Sequence, residues 1–347
     1  MVRPIRSTRW LASLALVVIA AASTSDAVVH SPASVGTIAF ISDRANSFDI
    51  YVVGADGGGL RRLTASPTDE FSPAWSPDGA RIAFATDSGY LQLQRTGAFA
   101  SLDEENMDIY AIGADGTGAQ RLTAQTGDVD RHFCDDQLDP AWSPDGTKIA
   151  FSSNHAGNFE IYVMNANGSG WQRLTRSRAG DQAPAWSPDG RQIAYASSLP
   201  GGQPRWSAGG GHSEIYVMNA DGSGRRRLAR NPAGNETSFG CANPPSIPRP
   251  AWSPDGKKIA FERFRGYSSP RIYVINTDGS GRRRLTTKDD TGPSWSPDGR
   301  GIAFSRYTRR GSDIYLMSPD GSGPRRLTKS RAEDLLPAWR PGPGPAR

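Results

Sequence analysis

The apolar residues of this chain come in short runs, each closed by a turn. "IAF"-like runs begin at Ile38, Ile82, Ile149, Ile193, Ile259 and Ile302, and "IYV"-like runs begin at Ile50, Ile109, Ile161, Ile215, Ile272 and Ile314. Rich in β-branched and aromatic residues and bounded by turn letters, they read as strands. An Asp-Gly or Asn-Gly pair follows each IYV run, at Asp56, Asp115, Asn167, Asp221, Asp278 and Asp320, and is a strong hairpin signal. After it comes "RLT" or "RLA", with leucines at 63, 122, 174, 228, 285 and 327. Ahead of most IAF runs stands "AWSPDG", at 74–79, 141–146, 185–190 and 251–256, with "SWSPDG" at 294–299. In that turn Pro presets φ, Asp suits the next place, and Gly takes a positive φ.

The unit is therefore four short antiparallel strands: A ends on Ala-Trp, B is the IAF run, C the IYV run and D the RLT run. Trp252, Trp295 and Trp339 are 43 and 44 residues apart, and that period with four strands describes a propeller blade. There are six A strands, from Trp75 to Trp339, and six B strands, from Ile38 onward, offset by one. The last copy, "AWRPGPG" at 338–344, keeps its tryptophan and loses the turn because no B strand follows it. The expectation is an all-β, six-bladed β-propeller over 36–339, its ring closed by the C-terminal strand pairing with the first B strand. Residues 340–347 are expected to be a disordered Pro/Gly tail.

The unit "PAWSPDG-x-x-IAF … IYVMNADGSG-x-RRLT" resembles the WD-like repeat of the TolB propeller family, over nearly all of 36–339. It is also similar to repeats of prolyl-peptidase-like enzymes and of some pectin-fragment lyases. The resemblance implies the fold; function has to be argued from a site. TolB itself carries an α/β domain ahead of its propeller, whereas here the first blade follows the leader within about ten residues, so a role identical to TolB is not expected. No G-x-S-x-G elbow occurs, which removes the peptidase-like reading.

Composition changes the picture in two places. Arg3, Arg6 and Arg9 precede the apolar run "LASLALVVIAAA" at 11–22, the pattern of a signal peptide over 1–27, with an uncleaved anchor as the alternative. The mature chain is thus expected to be exported, periplasmic or secreted, without a membrane anchor. Mean hydropathy of −0.52 fits a soluble protein, and a monomer is expected. The net charge of +5 becomes +3 without residues 1–27. Its source is the arginines of the D strands, such as Arg61, Arg62, Arg225–Arg227 and Arg282–Arg284, which guard the outer blade edges. A ring of rim charges does not make a nucleic-acid face.

Parity places the candidate chemistry. A–B and C–D turns share one face, B–C and D–A connections the other, and the four long insertions, 87–106, 124–140, 198–213 and 229–250, all belong to the second. They carry Tyr90, Phe99, His132, Phe133, Trp206, His212 and Phe239 as partner-contact candidates. His132, His155 and His212, with Asp135 and Asp136, are weak metal candidates without ligand spacing, so no cofactor is expected. Asp69, Glu70, Asp139, Asp181, Asp289, Asp290, Glu333 and Asp334 precede A strands and are candidates to ring the axial channel. Cys134 and Cys241, each in a D–A loop, are expected to form a disulfide in an oxidising compartment. The sequence points to a non-catalytic scaffold binding a protein, peptidoglycan-linked or glycan partner. The alternative is an extracellular polysaccharide lyase or hydrolase using the loop histidines and a metal.

Overall fold

The computed structural model describes residues 36–87, 107–123, 136–198, 213–229, 247–264 and 270–342. Twenty-four strands form six four-stranded antiparallel sheets, a closed six-bladed propeller. Blade 1 holds β1 (Thr37–Ser42), β2 (Asp49–Gly54), β3 (Arg61–Arg62) and, as its strand A, β24 (Asp334–Trp339). Blade 2 is β4 (Glu70–Trp75), β5 (Arg81–Asp87), β6 (Met107–Gly113) and β7 (Gln120–Arg121). Blade 3 is β8 (Gln137–Trp142), β9 (Lys148–Ser153), β10 (Glu160–Asn165) and β11 (Gln172–Arg173). Blade 4 is β12 (Gly180–Trp186), β13 (Gln192–Ser198), β14 (Ser213–Asn219) and β15 (Arg226–Ala229). Blade 5 is β16 (Ala251–Trp252), β17 (Lys258–Arg263), β18 (Arg271–Asn276) and β19 (Arg283–Arg284). Blade 6 is β20 (Asp290–Trp295), β21 (Ile302–Thr308), β22 (Gly311–Met317) and β23 (Arg325–Arg326). Among the described residues no helix is long and apolar enough to cross a membrane.

The closing strand pairs as the repeat count requires. Ile38 lies opposite Trp339, Ala39 opposite Ala338, and Ser42 opposite Asp334, with a 2.7 Å bond from Ser42 Oγ to Asp334 Oδ1. Arg340 N donates to Thr37 O, and its guanidinium lies 5.2 Å from the Trp75 ring centroid.

The repeated letters are the contacts between blades. The Phe and Tyr of B and C stack on one another and face the preceding blade, as Phe40 and Tyr51 of blade 1 pack with Ala303, Ile314 and Leu327 of blade 6. The Asp-Gly or Asn-Gly turn of each blade abuts the RLT leucine of the blade before it. A Cβ on Gly116 would lie 2.8 Å from Leu63 O, and one on Gly321 2.6 Å from Leu285 O. Tryptophans reach back the same way, with Trp75 Nε1 donating to Ala338 O, Trp186 to Ala141 O and Trp252 to Ala185 O, at 3.0–3.2 Å. The D-strand arginines do more than guard an edge. Arg61 donates to Ala114 and Asp115 carbonyls, Arg226 to Thr277 O, Arg283 to Asp320 O and Arg325 to Ala55 O, always in the next blade.

Deleting residues 333–347 removes β24 and bares apolar faces on blades 6 and 2, so the shortened protein is expected to aggregate or lose its cooperative thermal transition. An unchanged melting temperature would show that the ring does not depend on closure. Gly116→Ala and Gly59→Ala separate conformation from contact, because both have positive φ (90° and 65°) but only Gly116 has a neighbour against its missing Cβ. Urea midpoints should give a loss of about 1 kcal/mol for Gly59→Ala and about 2–4 kcal/mol for Gly116→Ala. Equal losses would mean that the blade contact carries no strain.

Candidate functional site

Strand A is the innermost strand of each blade, and a proline lies within it or, in blade 5, just before it: Pro73, Pro140, Pro184, Pro250, Pro293 and Pro337. An edge strand tolerates proline because no ladder bond is lost on its open side. The residue before each proline differs: Ser72, Asp139, Ala183, Arg249, Gly292 and Leu336. Five of these six have positive φ, between 53° and 60°, and at Ser72, Asp139, Ala183, Gly292 and Leu336 the pairing with strand B slips, a bulge that turns the chain toward the axis. The six dipeptides together line an axial cavity of about 140 Å³.

Two of the lining residues are charged, and they meet. Arg249 Nη1 reaches from blade 5 to Asp139 Oδ1 of blade 3 at 2.5 Å and to Ser72 Oγ of blade 2 at 3.2 Å. Ser72 Oγ also donates to Asp139 Oδ1 at 2.8 Å. The Arg249 side chain keeps 19% of its surface exposed and that of Asp139 5%, so the pair is a largely desolvated strut across the channel. Behind it, buried Glu262 accepts the backbone N–H of Arg249 and that of Gly292, and burial raises its carboxyl above the ordinary range. Ser152 and Ser305, at the matching place on strand B, receive the Ala183 and Leu336 amides. A side chain on B thus anchors the bulge of the next blade in three interfaces.

The expected acidic ring at the channel mouth is corrected by the structure. Of the acids preceding A strands, only Asp139 lines the channel. Glu70, Asp181, Asp290 and Asp334 sit at the first or second residue of strand A and are buried inside the blades, where Ser197 Oγ holds Asp181, Arg306 holds Asp290, and Ser42 and Arg44 hold Asp334. The channel runs along the open edge of strand A, so side chains that follow the regular pleat point to a neighbouring blade, and the bulge turns only the residue before proline toward the axis. Asp69 Oδ1 accepts from Phe48 N, and Asp289 pairs with Arg271.

Glu70 accepts from a hydroxyl, Thr64 Oγ1 at 2.8 Å, and burial pushes its carboxyl up to about 8. At pH 7 it is therefore protonated when folded and ionised when unfolded. A folded value above the unfolded one makes its contribution full below about pH 4.5 and lost as pH rises through about 8. Glu70→Gln keeps a neutral acceptor for Thr64. The variant should match the parent near pH 4.5 and gain on it steadily up to about pH 8 in urea midpoints. A constant difference across that range would show that Glu70 is ionised in the fold.

Of the metal candidates, His155 is exposed on the short B–C connection of blade 3. Asp136 is buried and engaged, with Oδ1 accepting Met107 N and its own N–H donating to Asn154 Oδ1. The structure does not bring these two to an open site. His132, His212, Asp135, Tyr90, Phe99, Phe133, Trp206, Phe239, Cys134 and Cys241 lie outside the described residues. Sequence reasoning missed Arg249, Ser72 and Glu262. Their signal was present: the letter before the invariant proline of "xPAW" changes in every blade while its frame stays fixed.

The TolB beta propeller domain family matches residues 130–237 and 241–344. A TolB homolog of Chlorobium luteolum is 31% identical over 156 residues, 37% of this chain and 34% of that one. The Tol-Pal system protein TolB of Desulfosudis oleivorans is 30% identical over 40% of this chain and 26% of its own. The chain thus spans about a quarter to a third of these relatives. The crystal structure of TolB from Acinetobacter baumannii superposes with a TM-score of 0.65 at 22% identity, over 90% of this chain and 68% of that one, which is a likeness of fold. With six four-stranded blades and the repeat that builds them, this chain belongs to the TolB beta propeller domain family.

Proposed function

We propose that this protein is an exported, non-catalytic scaffold that binds a protein or cell-envelope glycan partner through the face bearing its B–C and D–A connections. One observation carries the reading: segments 88–106, 124–135, 199–212 and 230–246 all leave and rejoin the ring at that face, between β5 and β6, β7 and β8, β13 and β14, and β15 and β16. The opposite face bears short, uniform turns, whose Ser and Asp side chains are spent on the turn itself, as Ser76 Oγ to Asp78 Oδ1 and Ala80 N to Asp78 Oδ1. Long connections on a rigid ring are the usual place for recognition. The axial strut Arg249–Asp139 lies beneath the same face and offers a partner one cation and one anion. A Cys134–Cys241 disulfide would preorganise two of the segments and lower the ordering cost of binding. The apolar leader at 11–22 and the Tol-Pal naming of a relative support an envelope location.

The test replaces 199–212 by Asn-Gly, a two-residue hairpin turn, and compares partner capture from envelope extract by parent and variant. The variant is expected to keep its melting temperature and to lose at least tenfold in captured partner. Lys257→Ala, on the opposite face, should capture as the parent does. Equal capture by the shortened variant would defeat the reading.

A further inference from the structure

Strand C opens on an acid in five blades: Asp49, Asp108, Glu160, Glu214 and Asp313. Each pairs with the arginine of its own RLT strand, Arg62, Arg121, Arg173, Arg227 and Arg326, at 2.5–3.4 Å. Blade 5 inverts the place. Arg271 stands where the acid should be, and it lies directly opposite Arg263 of β17. Its partner is Asp289, half exposed in the D–A connection, and the RLT arginine of this blade, Arg284, is exposed with no carboxylate among the described residues.

The three guanidiniums share one face. Phe261 is opposite Tyr273 and Tyr273 opposite Arg284, while Arg263 and Arg271 each lie two residues along from this row. Arg263 rests 5.6 Å from the Tyr273 ring centroid. That face packs on blade 4. Arg263 also borders a small cavity with Ser213, Ala229 and Pro248, so the cluster stands where segments 199–212 and 230–246 join the ring. Like charges directly opposite on paired strands repel, and an anion beside them relieves the repulsion, as Asp289 does at Arg271. Four of the other blades set a hydroxyl across from the acid, and blade 6 sets Arg306 across from Asp313.

We propose that the long-loop end of the blade 4–blade 5 interface is a subsite for an acidic polysaccharide, its carboxylate or phosphate groups held by Arg263, Arg271 and Arg284. Guanidinium forks match both oxyanions. The three arginines sit on three neighbouring strands about 4.8 Å apart, a track of roughly 10 Å that a chain of anions fills and a single ion does not. The subsite rests on the partner-binding reading above and narrows its partner to an anionic glycan.

Titrations of the whole protein with alginate (carboxylate) and poly(glycerol phosphate) (phosphodiester), against neutral dextran, test it. One or both anionic polymers should bind and dextran should not, and the tighter of the two identifies the oxyanion. Arg271→Glu restores the charge pattern of the other blades, so it should keep or raise the melting temperature while weakening binding at least tenfold. Arg284→Gln, at an exposed side chain, should weaken it several-fold without touching the fold, and carries the test if the first variant fails to fold. Arg300→Glu makes the same charge change on the opposite face and should bind as the parent does. The subsite is overturned if neither anionic polymer binds, if Arg300→Glu loses as much as Arg271→Glu, or if polyglutamate or single-stranded DNA binds as tightly. Envelope capture that survives Arg271→Glu while polymer binding is absent sinks the subsite alone and leaves the scaffold reading standing.

Discussion

Everything in this ring depends on one surface used six times, the contact of each blade with the blade before it. A four-stranded sheet of this length cannot bury both of its faces alone, and it becomes stable when neighbours cover them. The Asp-Gly turn against the RLT carbonyl, the Phe–Tyr stack against Ala, Ile and Leu, and, in three of the six interfaces, the Trp Nε1 reaching the previous Ala-Trp carbonyl all belong to that surface. This is why the chain repeats its letters: a blade that changed them would fail against two partners at once. It is also why strand A of the first blade comes from the far end of the chain. Without β24, blades 6 and 2 would each face an incomplete neighbour.

The same dependence explains what could be read in advance. Strand order, the number of blades and the closing pair Ile38–Trp339 follow from a period that the interface enforces. Ala-Trp, Pro-Asp-Gly and Arg-Leu-Thr were legible because each serves in every copy. The Thr of RLT, for example, accepts the Ile amide of strand C in blades 1, 2, 3, 5 and 6. The channel wall was not legible, because its side chains sit at the one position of strand A that the interface leaves open. Ser72, Asp139 and Arg249 have nothing in common as letters. What unites them is a bulge or turn before proline that aims them at the axis, and backbone geometry of that kind is not spelled in side chains.

The acids ahead of strand A show the opposite failure, a clear signal with the wrong address. Their recurrence reads as a charged mouth, yet these carboxylates follow the regular pleat onto a blade face, and the bulge two residues later turns only the residue before proline toward the axis. Asp334, Asp181 and Asp290 turn inward to hydroxyls and guanidiniums from strands B and D or the B–C connection, and Glu70 stays buried with a hydroxyl and retains its proton. Their role is to pin the start of strand A, and the channel is left with one acid, Asp139.

Departures from the repeat concentrate in blade 5. Its strand A is two residues long, and Arg249 keeps a negative φ where the other five residues before proline are bulged or turned. Glu262 stands where the other blades have Ser, Ala or Ile, and its carboxylate accepts the backbone amides of Arg249 and Gly292. Arg271 replaces an acid. Arg249 and Glu262 put charged groups where most blades have none, and Arg271 reverses the charge that the other five blades keep. A fold whose stability is distributed over six equivalent interfaces can tolerate such changes in one of them, because the remaining five hold the ring closed. Blade 5 is thus where this propeller has room for chemistry of its own, and its two cationic features, Arg249 on the axis and the arginine track beside blade 4, lie on the inner and outer sides of one short strand set.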